Sequence, residues 1–259
     1  MNHAVLKRLL DEKLEFYNRP SFIESDPISI PHHFTSRADI EISGFLAATI
    51  AWGQRTTIVR NGFRLMQLMD NRPGEFVMHA GKSDLRPLEK FVHRTFNGDD
   101  LLFFIESLRN LCQQPGGMER AFAEGLELNP SDMGGAIGHF RSTFLQTPHL
   151  PRSEKHLANP AKGSSAKRIN MFLRWMVRHD AAGVDFGLWK SISPAQLCCP
   201  LDVHVGNVAR RLGLLNRIQN DWKAVEELTA VLRNFDPEDP VKYDFALFGM
   251  GVAEKPAIL

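Results

Sequence analysis

Hydrophobic residues recur at helical spacing through most of this chain. In residues 2–17 they fall at intervals of three and four, and residues 56–69 and 99–114 repeat the pattern. The segments 221–234 and 240–250 are similar. The sequence lacks the alternating runs of β-branched residues between turn residues that are typical of strands. The pattern therefore predicts an all-α fold.

The chain of 259 residues is long enough for one large domain or for two packed lobes with hydrophobic cores. Prolines interrupt the helical pattern in two stretches, 18–36 and 147–163, which indicates long connections. We therefore expect two helical lobes. The central lobe spans residues 37–146 and the C-terminal lobe spans 147–259, while residues 1–36 supply a helix and linker that pack on the C-terminal lobe.

The cysteines, the N-terminus and the motifs exclude several classes of protein. Cys112, Cys198 and Cys199 are too few for a disulfide framework or an all-cysteine metal site, which indicates a reducing cytoplasm. The N-terminal residues mix both charge signs, unlike a signal peptide, and the longest apolar run, 44–52, is about half of a membrane span. No P-loop, dinucleotide-binding glycine pattern or helical zinc motif occurs. We expect no metal and no cofactor.

The total charge hides a strong segregation along the chain. With 31 basic and 30 acidic residues the net charge is +1, which excludes DNA binding through overall charge. Residues 152–179, however, carry seven basic residues and one acidic residue, a local +6, whereas residues 221–244 carry a local −4. The basic stretch is a candidate phosphate-binding surface. A solvated face on surface helices is the alternative.

Within the basic stretch, residues 162–175 read KGSSAKRINMFLRW, which indicates a glycine turn before a helix capped by Ser164 or Ser165. Free N–H groups at such a terminus, with Lys162 and Lys167 nearby, suit an anion such as a DNA phosphate. A well-capped amphipathic helix with an apolar core face would explain the same residues.

Asp202 stands immediately before a second predicted helix, in the segment PLDVHVGNVARRLGL at 200–214. An aspartate in this position caps the first turn of the helix. It could equally hold a negative charge for chemistry. The local sequence leaves both roles open.

This second segment resembles part of a known enzyme family. Leu201–Val205 followed by Val208–Gly213 resembles the catalytic segment of the helix-hairpin-helix DNA glycosylase superfamily, in which an aspartate, an apolar residue and a histidine precede a helix with an arginine-bearing turn. Lys162–Lys167 resembles that superfamily's hairpin, usually written P-G-V-G-x-K. Gly163 matches the first glycine, and Lys167 matches the lysine that bifunctional members use as nucleophile.

A third similarity lies earlier in the chain. Residues 42–66 resemble the superfamily's early helix pair, whose linker commonly bears a glutamine, here Gln54, that wedges into the duplex beside the extruded base. The three segments occur in the superfamily's order. The runs KRINMFLRWMVR, VDFGLWK and LDVHVG resemble, more closely, a bacterial family of uncharacterised proteins.

The chain also departs from the superfamily pattern. Lys162 stands where the hairpin proline is usual, and Ser165 replaces the second glycine. The 35 residues from Lys167 to Asp202 exceed the usual spacing, which an insertion at 181–197 explains. Some archaeal oxoguanine glycosylases share a stretched spacing. Lys162 and Lys190 therefore remain alternative nucleophiles.

The resemblance implies a base-excision repair glycosylase, with 8-oxoguanine as the expected lesion and with AP lyase activity. Asp202 would stabilise positive charge on the sugar, and Lys167 would attack C1′. The implied DNA-binding residues are Gln54, Arg55, Lys162, Gly163, Ser164, Ser165, Arg168, His204 and Arg210. Aromatic candidates for the pocket of an extruded base, each with core packing as the alternative, are Trp52, Phe172, Trp175 and Trp189.

Two other functions fit the same sequence. One is a catalytically inactive DNA-binding or structure-sensing protein of the same fold. The other is a protein–protein module with no role in DNA. For the enzyme we expect a cytoplasmic monomer that acts on DNA and not at a membrane.

Overall fold

The computed structural model describes residues 3–254, and these divide into two compact units. The terminal unit contains the chain up to Phe22 and from Asn159 onward, and the middle unit is Ile23–Ala158. Between residues 3 and 254, strand is confined to one small hairpin. The prediction of an all-α fold is confirmed. No helix of this described part is long and apolar enough to cross a membrane.

The helices and strands follow one another in this order. The α-helices are α1 (His3–Tyr17), α2 (Pro20–Ile23), α3 (Arg37–Thr49), α4 (Arg55–Leu68), α5 (Pro73–His79), α6 (Lys82–Leu85), α7 (Gly98–Cys112), α8 (Gly117–Leu128), α9 (Met133–Phe144), α10 (Lys167–Val177), α11 (Val203–Arg211), α12 (Trp222–Phe235) and α13 (Tyr243–Ala253). Strands β1 (Val92–His93) and β2 (Phe96–Asn97) form the antiparallel hairpin between α6 and α7.

Helix ends follow the capping residues in the sequence. At the start of α7, Asn97 accepts the N–H of Asp100 at 3.3 Å, and the Asp100 carboxylate accepts the N–H of Asn97 at 3.0 Å. The predicted last helix begins later than expected because Pro240–Lys242 form a 3₁₀ turn before α13. The other predicted helices end within two residues of their expected positions.

The core of the middle unit is built mainly from phenylalanine rings. Phe45 of α3 contacts Phe104 of α7 and both Phe140 and Phe144 of α9, with ring centroids 5.6–6.1 Å apart. These rings meet edge to face, tilted or offset, which are the geometries that aromatic pairs prefer. All four side chains are excluded from solvent. Their mutual burial fixes α3, α7 and α9 around one centre.

The unit boundaries differ from the predicted ones at both proline-rich connections. The segment 23–36, predicted to join the C-terminal lobe, belongs to the middle unit because Ile28 and Ile30 are fully buried in it. The segment 147–158, also predicted in the C-terminal lobe, belongs there too, since the Ser153 hydroxyl donates to the buried Asp100 carboxylate at 2.6 Å. The middle unit is therefore longer than the predicted lobe.

The terminal unit joins the first helix to the end of the chain. Tyr17 of α1 lies against Gly249 of α13, where an added Cβ would come within 2.3 Å of the tyrosine ring. The Tyr17 hydroxyl donates to Glu254 at 2.8 Å, and Lys13 pairs with the same carboxylate at 2.5 Å. The N-terminal helix thus packs against the last helix of the same unit.

Two arginines, Arg174 of α10 and Arg178 directly after that helix, lie buried among carboxylates in this unit. Arg174 donates to Asp185 at 3.2 Å and to Asp244 of α13. Arg178 donates to the other oxygen of Asp185 at 3.1 Å and to Asp239 at 2.8 Å. The arginine side chains are 8% and 3% exposed, so pairing is what makes their burial tolerable. This buried ion network ties α10 to the 181–197 segment and to α13.

The buried ion network corrects the predicted basic surface. Arg174 and Arg178 contribute to the local charge of residues 152–179, yet both face acids inside the protein and are closed to an external phosphate. Arg152 and Lys155 belong to the middle unit. The remaining cations of the terminal unit that the stretch supplies are Lys162, Lys167 and Arg168.

Burial shifts the ionisation of the acids in the buried ion network. Loss of solvation raises the pKa of Asp244 to about 6, although the Arg174 guanidinium opposes the shift. Burial likewise raises the pKa of Asp185, again against the two arginines. Desolvation therefore outweighs pairing at both carboxyl groups.

We expect Asp185→Asn to destabilise the protein strongly, because it removes the carboxylate that Arg174 and Arg178 share. Breaking a buried pair in this way costs about 3–5 kcal/mol in the free energy of unfolding, measurable by urea denaturation. Lys7→Gln, which breaks the exposed pair with Asp11, is the control and should cost about 1 kcal/mol or less. A loss for Asp185→Asn no larger than that of the control would contradict the prediction.

Asp244 should make stability depend on pH. Because its folded pKa of about 6 exceeds the ordinary value of 3.8, the folded protein holds this proton more tightly than the unfolded chain does. The resulting stabilisation is present below the ordinary pKa and is lost as the pH rises through the folded pKa. The unfolding free energy of the wild type minus that of Asp244→Asn should therefore fall between about pH 4 and about pH 7. A constant difference would refute the shift.

Candidate active site

Lys167 and Asp202 come together in the terminal unit. Lys167 is the first residue of α10, and Asp202 immediately precedes α11. The lysine Nζ lies 3.8 Å from Oδ2 of the aspartate, which is an ion-pair distance longer than a hydrogen bond. The two side chains are 25% and 22% exposed. The structure thus brings together the two predicted catalytic residues at a position that solvent reaches.

The second carboxylate oxygen of Asp202 caps α11. Oδ1 accepts the N–H of His204 at 2.9 Å and the N–H of Val205 at 3.0 Å. It therefore satisfies two of the free donors at the positive end of the helix. Capping holds the carboxylate in one orientation and leaves Oδ2 turned to Lys167. The two roles that the sequence left open are compatible, because each uses a different oxygen.

The turn before α10 differs from the predicted one. Neither Ser164 nor Ser165 caps the helix, because Ala166 holds the capping position in a left-handed conformation with φ +49°. The Ser164 hydroxyl is used inside the turn, where it accepts the N–H of Ala166 at 3.2 Å. The carbonyl of Ser165 accepts the side-chain amide of the buried Asn170, also at 3.2 Å. Asn170 thus fixes the exit of the turn, directly before Lys167.

The other side of this turn is open. Gly163 has a left-handed φ of +84°, and no atom lies within 4 Å of the place where its Cβ would be. Its carbonyl accepts the N–H of Trp222 at 3.2 Å, and Ser164 forms a β-bridge with Asp221. Lys162 is exposed beside it. The turn is therefore anchored to the start of α12 while one face of it remains accessible.

Arg210, a predicted DNA contact, makes hydrogen bonds within the protein. Its Nε donates to the carbonyl of Arg217 at 2.8 Å, and its Nη2 donates to Asn220 at 2.6 Å. Asn220 in turn donates to the backbone carbonyl of Asp202 at 3.1 Å. Arg210 therefore supports the loop that binds the peptide of the capping aspartate.

The remaining predicted contacts of this unit differ in exposure. His204 is exposed on the first turn of α11. Arg168 is half-buried on α10, and desolvation lowers its pKa to about 10, so it stays protonated at neutral pH. Lys190, the alternative nucleophile, is exposed in the 181–197 segment.

Three predicted pocket residues lie in the hydrophobic core. Phe172, Trp175 and Trp189 are each at most 1% exposed, and the rings of Phe172 and Trp189 meet edge to face at 5.3 Å. The structure corrects their assignment, since a fully covered ring has no face left for a nucleobase. Core packing accounts for all three.

Trp52, Gln54 and Arg55 belong to the middle unit, which is described by itself. Gln54 occupies the capping position of α4 without a side-chain capping bond, and it is exposed. Trp52 is half-buried, with its ring edge-on to His93 at 4.9 Å and stacked against His156 at 5.8 Å. Arg55 is the first residue of α4. We call Trp52–Gln54 the glutamine turn.

Sequence reasoning missed the acids near Lys167 and Asp202. The pKa of Asp244 is raised by the charge of Asp202 and lowered by that of Lys167, although burial is the largest effect. Its signal in the sequence was an acid inside the apolar run YDFALFG, since such a residue must be paired when buried. Asp185, inside VDFGLW, carries the same signal. Among residues 3–254, no three His, Cys, Asp or Glu side chains are placed to hold a metal ion.

The chain was compared with known protein families, curated proteins and solved structures. A family model described as "Protein of unknown function (DUF2400)" matches residues 26–253, which is most of the chain. No curated protein and no solved structure matches the chain significantly. On the extent of that family match, this protein belongs to the DUF2400 family.

Proposed function

We propose that this protein is a DNA base-excision glycosylase with AP lyase activity, acting on an oxidised purine such as 8-oxoguanine. The observation that carries the proposal is the 3.8 Å approach of the Lys167 ammonium to the Asp202 carboxylate, beside the open Gly163 turn. An amine and a fixed carboxylate are the groups that this chemistry needs. The resemblance of three sequence segments to the helix-hairpin-helix glycosylases selects DNA as the substrate.

In this proposal Asp202 acts by its charge. Breaking the bond between C1′ and the base builds positive charge on the sugar, and a carboxylate held nearby lowers the energy of that transition state. The two N–H bonds to Oδ1 hold the group in advance, so little reorganisation accompanies the reaction. Asp202 is therefore suited to the role without acting as a nucleophile.

Lys167 is the proposed nucleophile. Once its ammonium has lost a proton, the amine nitrogen bonds to C1′ while the bond from C1′ to the base breaks. The base leaves with the electron pair of that bond and takes up a proton. Opening of the bond between C1′ and the ring oxygen then gives the Schiff base from which strand cleavage follows.

A phosphate contact is proposed for the turn before α10. The exposed Lys162, beside the open face at Gly163, offers a side-chain donor to a phosphate. Such contacts position the duplex without reading its sequence. The protein would act as a monomer on DNA, and Gln54 is the proposed wedge.

A catalytically inactive DNA-binding protein of the same fold is the second candidate. One observation favours it, since Asp202 caps α11 and pairs with Lys167 as a purely structural aspartate would. The two candidates differ in whether Lys167 reacts with a sugar.

We expect borohydride to trap a covalent adduct between the protein and a duplex that contains 8-oxoguanine or an abasic site. Lys167→Ala should abolish the adduct, because it removes the amine that forms the Schiff base. Two controls should keep the adduct: Lys190→Ala at the full yield, and Lys162→Ala at a lower yield because it loses the proposed phosphate contact. Gel electrophoresis of the trapped complex measures all four proteins. If a control variant, and not Lys167→Ala, fails to form the adduct, the lysine changed in that control is the nucleophile. If the wild type forms no adduct across a panel of lesions, the result favours the inactive candidate.

Substitutions at Asp202 separate capping from catalysis. Asparagine is as good a cap as aspartate, so Asp202→Asn should keep the stability of the wild type but lower single-turnover base excision by about 100-fold or more through loss of charge. Asp202→Ala should lose the activity and also about 1 kcal/mol of unfolding free energy. Excision at the wild-type rate by Asp202→Asn would exclude an electrostatic role.

A further inference from the structure

Arg94 lies at the tip of the β1–β2 hairpin and covers the glutamine turn. An added Cβ on Gly53 would meet the Arg94 side chain at 3.0 Å from Nη1 and 3.1 Å from Cδ. Gly53 itself has a φ of +108°, which side-chain-bearing residues rarely adopt. Gly53 thus leaves the backbone of the glutamine turn uncovered by a side chain of its own, and the Arg94 side chain packs against it.

The backbone conformation of Arg94 is energetically unfavourable for a residue that carries a side chain. Its φ of +56° is left-handed, at a hairpin position where glycine, asparagine or aspartate is usual. Strained residues persist where the surrounding structure holds them, and they concentrate at functional sites. A glycine at this position would adopt the left-handed φ without strain. The geometry of the turn therefore does not explain why the residue is an arginine.

The hairpin and the glutamine turn form one rigid surface. His93 donates from Nε2 to the carbonyl of Trp52 at 3.1 Å, and its Nδ1 accepts the side-chain amide of Asn61 at 2.9 Å. His93 is only 2% exposed. It joins β1 to the glutamine turn. The backbone from which the Arg94 side chain extends is therefore held next to the glutamine turn by these bonds.

The Arg94 guanidinium is a cation without a partner. Within the described chain it makes no hydrogen bond or ion pair, and the residue is exposed. The neighbouring Arg152 contrasts with it, since that guanidinium donates to Asn97 at 2.8 Å and to the carbonyl of Thr95 at 3.0 Å. The five donors of an exposed guanidinium that packs against Gly53 suit an external phosphate, an anion for which arginine has matching geometry.

We propose that Arg94 binds a backbone phosphate of the DNA duplex beside the glutamine turn. The inference rests on the proposed function insofar as the ligand is DNA. It adds a contact that neither the sequence motifs nor the family resemblance indicated. A phosphate ligand carries no sequence information, so the contact would position the duplex whatever its bases.

The test measures binding to a fluorescent duplex at several salt concentrations, with and without 8-oxoguanine. Arg94→Gly should weaken binding about tenfold near 0.1 M salt, and the slope of log Kd against log salt should fall by about 0.9, as expected for one lost phosphate contact. Unfolding in urea should show stability equal to or above that of the wild type, because glycine accepts the left-handed φ. Arg94→Asn, also tolerant of this φ, should behave alike.

Two further variants define the outcome. Arg94→Lys keeps the charge and should keep the salt slope, whereas Arg72→Ala removes an exposed arginine elsewhere in the middle unit and should leave binding unchanged. Wild-type affinity and slope in Arg94→Gly would overturn the proposal. A loss of affinity confined to one lesion or one base pair would also overturn it. The same holds if Arg94→Lys binds DNA as weakly as Arg94→Gly does and is less stable than the wild type. Absence of DNA binding by the wild type would refute both proposals, while binding without a borohydride adduct would refute only the enzyme.

Discussion

Burial of two arginines, Arg174 in α10 and Arg178 directly after it, dictates much of the terminal unit. A guanidinium taken out of water needs carboxylates around it, and the chain supplies them from distant places, Asp185 in the 181–197 segment and Asp244 in α13. These partners fix the C-terminal half of α10. Lys167 begins that helix about two turns before Arg174. The orientation of the lysine toward Asp202 thus depends on charges that no solvent-facing ligand reaches.

The inserted segment takes on a meaning that its sequence did not suggest. By spacing alone, residues 181–197 lengthen the chain between Lys167 and Asp202. In the structure, Val184 and Trp189 of this segment are buried, and Asp185 pairs with α10. The backbone N–H groups of Phe186 and Trp189 donate to carbonyls near the end of that helix. The segment therefore completes the core.

The sequence was sufficient for features that local rules govern. Hydrophobic periodicity predicted the helices, and the position of Asp202 predicted its capping bonds, because both depend on neighbours within one or two turns. The sequence was insufficient for features that depend on residues distant along the chain. A count of charges treats Arg174 and Arg178 as surface cations, and only the fold reveals the acids opposite them. The left-handed Ala166 was equally hidden, since alanine carries no signal for that conformation.

One oxygen of the Asp202 carboxylate caps α11 and the other pairs with Lys167, and this has an evolutionary consequence. Whatever the activity, selection would retain an aspartate, asparagine or serine at this position, because α11 needs its first N–H groups satisfied. Lys167 caps no helix, so its retention would depend on its ion pair with Asp202 and on the proposed reaction. Among related proteins, retention of Lys167 would therefore bear on the proposed reaction more directly than retention of Asp202.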